Sequence, residues 1–461
     1  RLEATRVPFL LGEVHYAACR QVADVISVLM QVCAFTLLSS LADYGQMRRR
    51  MLAGCTLLGI VFMLLHTFGG SAERYLWNTL LLTASSFTLS FAGVFYNSYL
   101  PLLVDAKMSV DKGSVRGVRA RGEGLEITRA DLDWDHASAH ISPSGLIWGY
   151  IAQTVFMVLG GCWLFLTADS PSAYIGFTVV CAIWALVVSA LGIATLPDRP
   201  GKTLATGQGY VVTSVSRLKT TLRALRSDLT QMRIFLLSWF IHSDGAATVG
   251  AAATTFAAKE LDMPAFVIMA VLLELSLLSV IGAALCSRLM AQCGDGQSLC
   301  GPKAMVLVSI GMMAIPPIWG LVALTTWGEF FCAGGIYGFA IGVYSTVNRS
   351  LFAGCIPSGR EAEFFGFYEV TNRGTAWVGP LIVAWIATSS GNYRMAFGSV
   401  LVFFAVGGSI LCFFDLSIAK KERAAAEASD DGTAGALQLS EFETLGRTDF
   451  DGIDVADASL T

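Results

Sequence analysis

The sequence predicts an all-α, polytopic membrane protein, and three observations carry that expectation. Of 461 residues, 54% are hydrophobic and only 14% are charged, with a mean hydropathy of +0.61. A soluble domain uses about 25% charged residues to clothe its core, so this surface is built for hydrocarbon. Apolar runs of about 20 residues, the length a helix needs to cross a ~30 Å bilayer core, recur along the whole chain. The turns between them alternate between basic and nearly cation-free. The net charge of -4 argues against a nucleic-acid partner.

Read by length, the spans fall at 21–42, 51–70, 77–104, 143–167, 172–196, 234–258, 264–290, 303–325, 329–348, 364–389 and 394–417. Helices are expected, because an isolated apolar segment closes its own backbone hydrogen bonds only as a helix. Of the 31 Lys and Arg residues, 24 lie after the first, third, fifth, seventh and ninth spans or in the C-terminal tail. Arg1, Arg6, Arg20, Arg74, Lys259 and Arg394 lie on the other side, and Arg373 lies within a span. Cytosolic loops carry the basic excess, so the C-terminus is expected in the cytosol and residue 1 across the membrane.

The basic loop 197–233 separates five spans from six. Transporters built from two repeated helical halves have equal halves, so the expected architecture is eleven of twelve helices, with helix 1 upstream of Arg1. The chain is then a fragment or truncated gene model and is not expected to transport as written. The expected units are an N-terminal half (1–196) with a cytosolic insertion (105–141), the central loop, a C-terminal half (234–418) and a disordered acidic tail (419–461). In the loop, Leu218, Leu222, Leu225, Leu229 and Met232 recur at helical spacing among Arg217, Lys219, Arg223 and Arg226. That pattern describes a basic amphipathic helix, either lying on the cytosolic leaflet or packed under the bundle. The eleven cysteines include no C-x-x-C pair, and most sit in apolar runs as small hydrophobes. Cys293 and Cys300 flank a Gly-containing loop; a metal or disulfide there is the lesser alternative, and no metal or cofactor is expected.

After the first span comes S-S-L-A-D-Y-G-Q-M-R-R-R, Ser39 to Arg50. It resembles the loop between helices 2 and 3 of the major facilitator superfamily, with Asp43, Gly45, Arg48 and Arg49 as the conformational motif. Ser39 stands where glycine is usual, and Gly45 comes one residue early. Asp43 is placed to cap the helix that follows, and the arginines to hold the turn in the cytosol.

Ionisable groups inside spans are costly and usually functional. His242 and Asp244 lie in one span, followed by small residues; Glu369, Asn372 and Arg373 share one face of another. Glu369 and Arg373 either pair within their helix, or Arg373 reaches an anionic substrate group or Asp244. Glu274 is an isolated acid, either a proton carrier or a packed polar group. Asn97, with Tyr96 beside it, precedes Pro101 and either satisfies a freed carbonyl or lines a cavity.

Several stretches together resemble the autophagy-related protein 22 type of vacuolar effluxers: F-Y-N-S-Y-L-P-L-L (95–103), I-S-P-S-G-L-I-W-G-Y (141–150), F-L-L-S-W-F-I-H-S-D-G-A-A-T-V (235–249) and, most specifically, the block from Asn348 to Leu381. The resemblance implies a vacuolar membrane protein that exports neutral and branched amino acids to the cytosol during autophagy. A zwitterion needs a cationic and an anionic partner in a mostly apolar site; Arg373 with Asp244 or Glu369 would supply both, and an acidic lumen would permit proton coupling. The competing readings are a transporter of the same fold for a sugar, drug or peptide, and a non-transporting membrane factor in autophagy. No phosphate loop, H-E-x-x-H or G-x-S-x-G supports an enzyme.

Overall fold

The computed structural model describes residues 6–9, 12–69, 75–112, 129–167, 171–196, 201, 210–292, 301–374 and 376–429. Among the described residues, fourteen numbered α-helices and a further helix over 416–429 follow a short antiparallel hairpin of β1 (Arg6–Phe9) and β2 (Gly12–His15), which the sequence reading did not foresee. The first group comprises α1 (Tyr16–Leu38), α2 (Met47–His66), α3 (Tyr75–Lys112), α4 (Arg129–Leu166) and α5 (Pro171–Thr195). The connecting helix α6 (Tyr210–Ser227) leads to α7 (Thr230–Glu260), α8 (Ala265–Gln292), α9 (Pro302–Val322) and α10 (Trp327–Cys355). The chain continues through α11 (Glu361–Arg373), α12 (Val378–Ser390), α13 (Tyr393–Gly398) and α14 (Leu401–Cys412).

Nine segments of the described chain are long and apolar enough to cross a membrane. The two expected spans outside that set are the polar ones. Helix α7 carries Arg233, His242, Asp244, Lys259 and Glu260 among many small residues, and the span expected at 364–389 is two helices of 13 residues each, α11 and α12. Their junction falls at Gly374, where the Gly374 N–H closes the last turn of α11 on the Val370 carbonyl (2.8 Å).

The helices meet through aromatic and small residues. Phe35 of α1 stacks on Phe91 of α3 (5.4 Å between centroids), and Phe91 meets Phe95 at 4.7 Å. In the second group, Trp239 of α7 lies between Tyr344 of α10 (5.5 Å) and Tyr368 of α11 (4.5 Å). Helices α8 and α10 approach so closely that a Cβ at Gly342 would strike the Ser279 backbone. The Ser279 hydroxyl donates to the Gly338 carbonyl across the same contact (2.8 Å). Close backbone approach over small residues suits a bilayer, where apolar side chains gain little by leaving lipid. At the exposed start of α10, Thr326 makes a reciprocal cap with Glu329.

Two expected polar segments contain helix. The insertion 105–141 is helical at both ends, through Lys112 in α3 and from Arg129 in α4, and the Trp134 indole donates to Asp105 (2.9 Å). Residues 113–128 lie outside the described part. The tail expected as disordered from 419 begins as a helix over 416–429. Lys420 of this strap pairs with Asp135 of α4 (2.5 Å), and Arg423 donates to the Gly354 carbonyl (2.7 Å). Glu427 accepts from the Ser358 N–H (2.8 Å), and Glu422 from that of Gln231 (2.8 Å). Burial pushes the Glu422 carboxyl above its ordinary range, whereas the Ser417 hydroxyl holds Asp415 below it. The acidic composition concealed this order because the basic residues that anchor the strap all precede residue 424.

Candidate functional site

Two polar constellations join the α1–α5 group to the α7–α14 group. The first lies at the basic end of the bundle. A 3₁₀ turn (Ser39–Asp43) carries Asp43, and Gly45 turns the chain with φ +49° before α2. Asp43 was expected to cap α2; instead α2 opens at Gln46 without a side-chain cap, and Asp43 caps α11. Its Oδ1 accepts from the Ala362 N–H (2.9 Å) and its Oδ2 from the Glu363 N–H (3.0 Å). The same carboxylate pairs with Arg48 Nη2 at 2.6 Å, and that guanidinium reaches Glu361 at 2.9 Å. All three side chains are buried, so the cluster holds together only as a unit: each charge is matched by an opposite charge or by helix N–H groups.

Helix α6 extends this clamp. Its Thr221 hydroxyl bonds Glu363 and accepts from Arg360, while Arg360 pairs with Glu363 at 3.1 Å. Arg217 lies 3.7 Å from Glu363 and 4.6 Å over the Tyr44 ring. Arg49, named with the motif, has no ion-pair partner among the described residues. Arg360, Glu361 and Glu363 were not singled out from sequence. The G-R-E-A-E run was their signal, with two acids in the first turn of a helix.

The second constellation lies midway along α3 and at the α11–α12 break. Glu369 is its hub. Asn97 of α3 donates to Oε1 at 3.2 Å; Asn372 and Arg373 donate to Oε2 at 3.4 and 3.3 Å. Of the alternatives left open, Arg373 takes the intrahelical pair with Glu369, and Asn97 turns across to α11. The Glu369 side chain is 9% exposed and that of Arg373 43%, so Arg373 keeps free reach. Beside them the Arg349 guanidinium stands 5.3 Å over the ring of Tyr96. Arg349 is buried with its Nε unpartnered. Sequence reasoning passed over it because it closes a span next to a basic loop.

His242 and Asp244 belong to neighbouring layers. His242 Nδ1 meets the Tyr344 hydroxyl at 2.7 Å, inside the aromatic stack with Trp239. Asp244 Oδ2 accepts the Gly379 N–H (3.1 Å) at the start of α12, and Oδ1 is buried without a partner. The break between α11 and α12 thus has Arg373 at the C-terminal end of one half-helix and Asp244 at the N-terminal end of the other, each the charge that end favours. Glu274 stands apart, beside a lateral groove between α4 and α8 lined by Ile151, Thr154, Val155, Leu277 and Ile281; its Oε2 lacks a partner. Cys293 and Cys300 lie outside the described residues, and no cluster suited to a metal ion occurs among those described.

The family model described as "Vacuole effluxer Atg22 like" matches residues 3–424. Curated relatives include autophagy-related protein 22 of Botryotinia fuckeliana, 29% identical over 442 residues, which are 85% of this chain and 73% of that protein. Autophagy-related protein 22 of Yarrowia lipolytica is 27% identical over 453 residues, 86% of this chain and 75% of that one. Among solved structures, the human organic anion transporter MFSD10 superposes with a TM-score of 0.57 at 16% identity, covering 85% of this chain and 83% of that one. The major facilitator transporter FucP, in its outward conformation, gives 0.57 at 12% identity over 90% and 92%.

Proposed function

Because this chain belongs to the Atg22-like vacuole effluxer family and has the major facilitator fold of a non-enzymatic membrane transporter, we propose that it exports neutral and branched amino acids from the vacuole lumen to the cytosol. The observation that carries this reading is the Glu369 hub. It is a buried carboxylate held jointly by Asn97 of one helical group and Asn372 and Arg373 of the other. A group shared between the two moving parts of a transporter changes its environment when they rock, which alternating access requires of a substrate site. Glu369 is placed to receive an α-ammonium group, and Arg373 or Arg349 an α-carboxylate. Tyr368, Trp239 and Tyr344 supply the apolar wall a branched side chain prefers.

In this reading the basic end faces the cytosol, by the distribution of Lys and Arg, and the Asp43–Arg48–Glu361 clamp holds that side shut. This reading takes the chain as eleven spans in two halves, with α11 and α12 as one broken span and α13 and α14 as another. Asp244 is the coupling group: protonation would weaken its cap on α12 and free the α11–α12 break to bend, so an acidic lumen would drive the cycle. The test is to compare amino-acid pools in vacuoles isolated from cells with and without the intact gene. A selective rise in neutral amino acids on loss of the gene supports the proposal. Unchanged pools, or a change confined to sugars, would favour the alternatives.

A further inference from the structure

Helix α6 has two working faces, and only one is occupied. At 3.6 residues per turn, Thr221 stands about 160° round the helix from both Lys219 and Arg223. The inner face carries buried Ser214, Thr221 and Leu225, with Arg217 against Tyr44 and Glu363. The outer face carries Lys219, Arg223 and Arg226, all exposed and without an ion-pair partner among the described residues. Beside them lie three apolar side chains that no packing requires to be there: Val212 (70% exposed), Val215 and Leu222 (52%). The helix contains no acidic residue. Asp228 and Leu229 alone separate it from α7, which enters the bundle from the same end.

We propose that this outer face binds the anionic headgroups of the adjoining leaflet, and that the lipid thereby stabilises the closed clamp. The apolar flank seats at the headgroup–acyl boundary, and the three cations meet lipid phosphates and carboxylates. Each such cation near an anionic surface is worth roughly fivefold in binding. The coupling follows from the inner face. Thr221 and Arg217 bind Arg360 and Glu363 of α11, so a lipid that fixes α6 in its docked position favours the state in which those bonds exist. A ligand shifts an equilibrium only by its preference for one state, and the docked helix is the state that presents this stripe flat to the membrane. The inference rests on reading the clamp as a closed gate. It does not depend on the substrate.

The test uses the protein from its complete gene in vesicles of phosphatidylcholine alone or with one-third phosphatidylserine, followed by amide hydrogen exchange. Anionic vesicles are expected to slow exchange across residues 210–227 and 39–48 by about tenfold. The triple variant Lys219→Gln, Arg223→Gln, Arg226→Gln is expected to behave alike in both vesicles while keeping its neutral-vesicle protection. Equal exchange of the unaltered protein in the two vesicle types would overturn the proposal. So would the same slowing in neutral vesicles on adding inorganic phosphate, which would assign the effect to a free anion. Protection of 210–227 without protection of 39–48 would leave lipid binding but refute the coupling. None of these results bears on amino-acid export, which fails or stands by its own assay.

Discussion

Replacing Asp43 with Asn tests the clamp where it is most interdependent. Asp43 makes a 2.6 Å ion pair with Arg48 and accepts two N–H groups at the start of α11, at 2.9 and 3.0 Å. Asparagine fills the same space but keeps one acceptor oxygen and no charge. One charge-assisted bond is lost, worth about 1.5–3 kcal/mol, together with the attraction between a carboxylate and a helix N-terminus, up to about 2 kcal/mol in a buried setting. Glu361 remains 2.9 Å from Arg48 and moderates the loss. Breaking a buried pair from one side costs about 3–5 kcal/mol, and the closed state should lose at least the lower figure. That shifts the closed–open ratio by two or more orders of magnitude. The reporter is Ser138→Cys, because Ser138 is fully buried at the same end, bonded to Ser350 of α10. A membrane-impermeant maleimide applied from the cytosolic side should label position 138, read by peptide mass spectrometry, about a hundredfold faster in the Asp43→Asn background. Equal labelling in both backgrounds, with the protein folded and in the membrane, would refute the clamp as a gate.

Other consequences follow from single contacts. Arg373→Ala strands the buried Glu369 carboxylate on two amides, so thermal stability should fall further than in the Arg373→Ala, Glu369→Ala double variant; the reverse order would mean that the two side chains do not act as a pair. Asp244→Asn can still accept the Gly379 N–H, so the protein should reach the membrane in normal amount while transport is lost, and near-normal efflux would remove Asp244 from the mechanism. Collapsing the vacuolar pH gradient should slow efflux, and an unchanged rate would exclude proton coupling. Gly342→Val places a branched side chain against the Ser279 backbone and should destabilise by about 1–3 kcal/mol or more, seen as reduced yield of monodisperse protein after detergent extraction.

The sequence made the membrane architecture legible because hydropathy and the basic loops are local signals, summed over about 20 residues at a time. It located Asp43, Arg48, Asn97, Glu369 and Arg373 because each is a polar residue against an apolar background or inside a known loop pattern. Partnership was less accessible. Asp43 sits four residues before α2, so proximity in sequence suggested a local cap; the N–H groups it caps lie more than 300 positions away, at Ala362 and Glu363. The division of one apolar run into α11 and α12 was hidden for a related reason: a break at Gly374 is stabilised by Asp244 from another helix, and that contact leaves no trace in periodicity. Arg349 and the strap at 416–429 were obscured by their settings, one beside a basic loop and the other at the head of an acidic tail.

If Glu369 serves a site shared by two rocking halves, substrate release depends on its carboxylate. Saturable efflux of labelled leucine is to be followed in vacuolar vesicles bearing the product of the complete gene, either unaltered or as Glu369→Gln, at matched membrane abundance. The unaltered protein should release leucine in competition with other neutral amino acids, and Glu369→Gln should reduce that release to the level of vesicles without the protein. Equal release by the two proteins, or no release above the protein-free level by either, would contradict it.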